Sequence, residues 1–116
     1  MNYRNQLIWQ RAVQLAINCY KFTRLFSKSE LYGLTSQIRR SSVSVASNIA
    51  EGCGRRSKPE YIQFLHIALG SLRELDTQLI IAEEVDLAEK NLFTTLLNKV
   101  EEIQSILVAS LNKLKA

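Results

Sequence analysis

A chain of 116 residues that is 47% hydrophobic has about one domain's length and enough apolar mass for a real core. One proline and four glycines leave few places to turn, so the composition favours long helices and argues against a strand-and-turn fold. The net charge of +4 hides an asymmetry: residues 1–58 hold ten basic and two acidic residues, residues 59–116 five and nine. Such a split suits an anionic partner for the first half, or assembly of copies basic face to acidic face.

The first predicted helix spans residues 3–26. Trp9, Ala12, Val13, Ala16, Tyr20 and Thr23 make one face at helical spacing, and Ile8, Leu15, Cys19, Phe22 and Phe26 make a second. Two apolar faces point to burial on both sides, one of them by another subunit. The start of the chain, MNYRNQLIWQRAVQ, lacks the apolar core of a signal peptide. No run reaches the ~18 apolar residues of a membrane span. Both features lead to the expectation of a cytoplasmic protein without membrane contact. Two cysteines, Cys19 and Cys53, are too few for a disulfide framework.

Ser27-Lys28-Ser29-Glu30 breaks the pattern, and a second helix is predicted over residues 31–51. Leu34, Ile38, Val45 and Ile49 form its stripe. Its middle, SSVSVASN, alternates like a strand, but the longer stripe has the helical period. Small residues there would admit a close neighbour. A polar stripe of Gln37, Arg40, Ser44, Asn48 and Glu51 is either a solvated face or a partly buried hydrogen-bonded network.

Gly52-Cys53-Gly54-Arg55-Arg56 follows. It lacks the spacing of a P-loop or a dinucleotide loop, and no strand precedes it. Gly52 is expected to take the left-handed position that ends the helix, with Gly54 adding a second bend. Cys53 lies beside two arginines that could lower its pKa. No resolving cysteine or base lies nearby in sequence, so a redox role is not expected.

A third helix is predicted over residues 57–83. Ser57-Lys58-Pro59-Glu60 reads as a capping box with proline in the first turn. Gly70 falls mid-helix, where close helix approach would explain its cost. His66, the single histidine, reads as a surface side chain. Asp86-Leu87-Ala88-Glu89 reads as a second capping box, opening a fourth helix over residues 86–114. There Phe93, Leu96, Val100, Ile103, Leu107 and Leu114 repeat in steps of three and four, with Ser110 in the remaining slot. Short connections between long helices predict one all-α domain, an antiparallel up-down-up-down four-helix bundle. The surplus apolar faces predict a homo-oligomer.

No catalytic, cofactor or metal site emerges: Glu-x-x-His pairs are absent, and no nucleophile meets a base. The charges are harder to dismiss. Arg55, Arg56 and Lys58 crowd a helix N-terminus, whose dipole already disfavours cations. Glu51 and Glu60 offset them, or an anion binds. Phosphate suits such a site. Arg39 and Arg40 add charge to the same half, and these five residues are the candidate contacts to an RNA or DNA backbone.

Three segments carry a resemblance. They are Leu34-Thr35-Ser36-Gln37-Ile38-Arg39-Arg40, Ser44 to Gly52 (SVASNIAEG), and Phe64-Leu65-x-x-Ala68-x-Gly70-Ser71-x-x-Glu74-Leu75. Together they resemble the bacterial four-helix bundle family of 23S rRNA intervening-sequence proteins. The motif positions are Asn48, Glu51, Gly52, Gly70 and Glu74; Arg40-Ser41 departs from the family's usual Arg-Ala. The resemblance extends more weakly over nearly the whole chain. It implies an up-down bundle, pentameric in known members, without established catalytic residues. A related bundle is the accessory variability determinant of diversity-generating retroelements, which binds a reverse transcriptase and nucleic acid. The expected function is therefore a non-enzymatic oligomeric bundle that binds nucleic acid or a ribonucleoprotein. The alternative is a protein–protein scaffold or accessory subunit, for example of a reverse transcriptase.

Overall fold

The computed structural model describes residues 2–116. Four helices, α1 (Leu7–Thr23), α2 (Leu34–Cys53), α3 (Lys58–Glu84) and α4 (Lys90–Lys115), form a bundle of 44 × 22 × 20 Å. Short 3-10 turns at Tyr3–Asn5 and Lys28–Glu30 precede α1 and α2, and no strand occurs among the described residues. Each helix packs on its sequence neighbour, α4 closes onto α1, and the diagonal pairs make no close backbone approach. This is the ring order of an up-down-up-down bundle.

The apolar stripes meet on the axis. Leu15, Cys19, Ile38, Val45, Ile49, Leu65, Leu72, Leu75, Leu79, Phe93, Val100 and Leu107 are fully buried. Phe22 lies edge-on to Phe26 and Phe93, with ring centroids 5.3 and 4.8 Å apart. The α4 seam takes Leu111 rather than Ser110. A straight helix gains on a strict seven-residue repeat, so by the last turns the buried position has moved one residue along.

The serine-rich middle of α2 is helical because its hydroxyls find partners. Ser42 donates to the Arg39 carbonyl (2.9 Å), and Ser44 pairs with Ser71 of α3 at 2.8 Å. Asn48 donates to the Ser44 carbonyl at 2.8 Å and to its hydroxyl at 3.0 Å. The polar stripe thus divides. Ser44 and Asn48 are half-buried in this network, while Gln37, Arg40 and Glu51 face solvent.

Both turn readings based on local chemistry need correction. Gly52 is not left-handed. It lies buried inside the last turn of α2, and no glycine has positive φ. A Cβ on Gly52 would stand 2.9 Å from Phe64 Cβ and 3.0 Å from Tyr61 Cδ1. Tight packing of α2 on α3, not a turn, requires the missing side chain. The helix ends two residues later at Gly54, in ordinary αR geometry (φ −85°, ψ −2°). Nor does Asp86 cap α4. It holds the left-handed position (φ 60°) just after α3. Leu87 N–H donates to the Ala82 carbonyl and Asp86 N–H to the Glu83 carbonyl, the six-to-one and five-to-two bonds of a Schellman stop. Leu87 packs on the core beneath it, and α4 starts at Lys90.

Two boundaries also move inward. Gln6 is extended (φ −81°, ψ 125°) and separates the Tyr3–Asn5 turn from α1. The Glu30 carboxylate accepts from Leu34 N–H at 3.3 Å, which starts α2 beyond residue 31. The serine half of the Ser57 box forms: its hydroxyl accepts from Glu60 N–H (3.3 Å) and donates to the Glu60 carboxylate (3.0 Å). Gly70 has nothing within 4 Å of a Cβ built on it, so close approach within the chain does not account for it.

Candidate nucleic-acid interface

The length of α2 sends the five candidate basic residues to opposite ends of the bundle. Arg39 and Arg40 lie in the second turn of α2; Arg55, Arg56 and Lys58 lie beyond its C-terminus and at the start of α3. Sixteen residues at 1.5 Å each separate Arg39 from Arg55 by about 24 Å along the axis. They form two clusters, not one.

At the first end, Arg39 is an internal tie. Its Nε donates to Thr23 Oγ1 at 2.9 Å, and its guanidinium lies 4.8 Å from the Tyr20 ring centroid. Thr23 in turn donates to the Cys19 carbonyl at 2.7 Å. Arg39 thereby holds the start of α2 to the end of α1, and a side chain so committed has little freedom to follow a phosphate. Arg40 is exposed, at the same end as Lys21, Arg24 and Lys28. Across this end stand Glu83, Glu84, Asp86 and Glu89 from the end of α3 and the turn before α4.

The second end is basic on nearly every element. Arg4 of the N-terminal turn, Arg55, Arg56 and Lys58 of the α2–α3 connection, and Lys113 and Lys115 of the last turn of α4 meet there. The N-terminal turn packs against α2, and Lys115 Nζ lies 2.7 Å from His66 Nε2 on α3, which fixes this grouping. Among the described residues, the carboxylate side chains at this end are Glu51 and Glu60. Sequence reasoning missed Arg4, Lys113 and Lys115. Their charge was visible, but no local pattern says that the two chain ends flank residues 55–58.

These cations are not equivalent. Arg55 pairs with Glu51 one turn back and lies 4.6 Å from the Phe64 ring centroid. It also follows the C-terminus of α2, where a positive charge is favoured. Lys113 and Lys115 enjoy the same benefit from α4. Arg56 and Lys58 do not. Both are exposed, and neither side chain makes a hydrogen bond or ion pair among the described residues. They stand at the positive end of α3, where helix electrostatics opposes them.

The motif residues divide by role. Gly52 lets α3 pack closely on α2, Asn48 holds the Ser44 that bonds Ser71 of α3, Glu51 holds Arg55, and Gly70 and Glu74 are exposed on α3. Cys53 does not gain the activation its arginine neighbours suggested. Burial raises its thiol pKa, and the weaker opposing effect is a hydrogen bond with Tyr61. Burial pushes the Cys19 thiol up to about 12. Among the described residues no three metal-ligating side chains cluster, and no helix is long and apolar enough to cross a membrane.

The family model described as "23S rRNA-intervening sequence protein" matches residues 4–109. No curated protein matches significantly. Among solved structures, one from Bacteroides thetaiotaomicron is described as a protein with unknown function from the S23 ribosomal protein family. It superposes with a TM-score of 0.82 at 22% identity, over 90% of this chain and 98% of its own. At that identity the likeness speaks for the fold.

Proposed function

This chain belongs to the 23S rRNA-intervening sequence protein family, and we propose that it is a non-catalytic, self-associating helical bundle whose basic end contacts the phosphates of a nucleic acid or ribonucleoprotein. The observation that supports this most is the pair Arg56 and Lys58. They are exposed, without partners among the described residues, at a helix N-terminus and amid four further cations. Such an end attracts phosphate through charge and the backbone N–H groups of the first turn. It offers no set of base-reading side chains, so binding is tolerant of sequence. Arg39 serves the fold, and Arg40 belongs to a separate, weaker cluster.

The test is a titration of single-stranded RNA and of duplex DNA at several salt concentrations, with wild type and Arg56→Ala/Lys58→Ala. Removing one cation from a phosphate lowers the salt slope by about 0.7 for a single strand and 0.9 for duplex DNA. The double variant is expected to bind more weakly with a slope lower by nearly twice that. Unchanged affinity and slope remove this end from the function. Self-association has its own measurement, light scattering, and a wild-type monomer at micromolar concentration refutes it. An apolar groove between α1 and α2, lined by Trp9, Val13, Ile17 and Tyr20, supports a second reading as a protein-binding accessory subunit. Absence of salt-dependent binding to bare nucleic acid would favour that reading.

A further inference from the structure

The bundle leaves two grooves on opposite sides, and their chemistry is complementary. The first runs between α1 and α2 with a volume of about 520 Å³. Trp9, Ala16 and Ala46 line it, Ile17, Tyr20 and Val43 remain 41–42% exposed, and its ionic groups are Lys21 and Arg24. No carboxylate lines it. The second runs between α3 and α4, about 720 Å³, with Ile80 (43% exposed), Leu97 and Val108 (37% exposed). Its ionic groups are Asp76 and Glu101, without a cation. Ring order places the α1–α2 side opposite the α3–α4 side.

Neither groove is used by its own chain. Half-exposed isoleucine, valine and tyrosine beside like charges are costly to leave in water, and each groove lacks what the other carries. A nucleic acid would fit neither the acidic groove nor the apolar floor of the basic one. Asp76 and Glu101 repel each other: burial first, and the Glu101 charge second, raise the Asp76 carboxyl above its ordinary range. A cation delivered from outside would offset the Glu101 repulsion and favour the charged carboxylate.

We propose that the α3–α4 face of one copy packs on the α1–α2 face of the next, with Asp76 and Glu101 meeting Lys21 and Arg24. The proposal rests on the self-association reading above and assigns its surfaces. The contact is head-to-tail, so each copy uses two different faces and the assembly grows until a ring closes or a filament extends. It also leaves the basic end formed by residues 4, 55–58 and 113–115 outside the contact, and copies in a ring would present those ends together.

The experiment uses two surface variants, Ile17→Glu/Val43→Glu on the basic side and Ile80→Glu/Val108→Glu on the acidic side. Circular dichroism verifies helical folding, and native mass spectrometry and light scattering report size. All four positions are exposed, so the fold should survive. Each variant alone is expected to be monomeric. Mixed in equal amounts they should form a heterodimer and nothing larger, because one intact complementary pair of faces remains. If the first variant is monomeric while the second keeps the wild-type assembly, the contact is self-paired through α1–α2 and the proposal is overturned. If both variants keep the wild-type assembly, the faces are wrong although self-association stands. A monomeric wild type refutes self-association itself.

Discussion

Gly52→Ala tests the reassignment of this glycine from turn residue to packing residue. The added Cβ would lie 2.9 Å from Phe64 Cβ and 3.0 Å from Tyr61 Cδ1. Ordinary carbon–carbon contact needs about 3.5–4.0 Å. The Tyr61 ring can swing aside, but Phe64 Cβ is bonded to the α3 backbone, so relief requires the two helices to separate by roughly half an ångström. Overpacking of this kind costs about 1–3 kcal/mol. Against it stands the gain of alanine over glycine within a helix, about 0.5–1 kcal/mol. The central values, about 2 and about 0.75 kcal/mol, leave a net loss of about 1.2 kcal/mol. Urea denaturation reads it as a fall in midpoint of about 0.4–1.2 M, with m near 1–3 kcal/mol/M. Gly70→Ala is the internal control. Its Cβ would meet nothing within 4 Å, so the helix term acts alone and stability rises by about 0.5–1 kcal/mol. Both are measured at one fixed protein concentration, because association shifts apparent stability. If Gly52→Ala is as stable as wild type, or if the two variants shift the midpoint equally, the close-approach argument is wrong.

Two further substitutions probe the other local findings. Asp86→Gly should stabilise the chain by up to about 1 kcal/mol, and Asp86→Val should destabilise it, because a β-branched residue pays most for the left-handed conformation (φ 60°); thermal melts of the pair suffice, and equal melting temperatures would dispose of the Schellman assignment. Arg39→Ala should cost about 1–2 kcal/mol of stability, because it removes the hydrogen bond to Thr23 and the cation–π pairing with the Tyr20 ring. The same variant should leave the salt slope of nucleic-acid binding unchanged; a slope reduced as much as in Arg56→Ala would return Arg39 to the interface.

The fold was largely legible in the chain itself, for a physical reason. A 3.6-residue period in residues such as Leu34, Ile38, Val45 and Ile49 states which side of a helix must leave water, and four such helices with short connections have few ways to comply. The serine-rich stretch of α2 shows the rule's strength: weak propensity and a strand-like alternation yielded to the longer stripe and to the Ser44–Ser71 hydrogen bond reaching α3. Glycines and caps were less legible. Gly52 at a helix end matches a left-handed stop, and Asp86 with Glu89 matches a capping box, yet each was decided by contacts that local chemistry does not encode. Phe64 and Tyr61 press on Gly52, and Leu87 returns to the core behind Asp86.

The charges divide in the same way. Sequence alone determined that the first half is basic and that Arg56 and Lys58 stand where a helix N-terminus disfavours them. Only the tertiary structure decided that Arg39 and Arg40 lie at the far end, that Arg39 ties α1 to α2, and that Arg4, Lys113 and Lys115 join the α2–α3 connection. Helical periodicity is a property of neighbours in the chain, so the chain displays it. A charged patch is a property of neighbours in space: the antiparallel reversal of each helix places residues 4, 56 and 115 together, while the length of α2 parts 39 from 55.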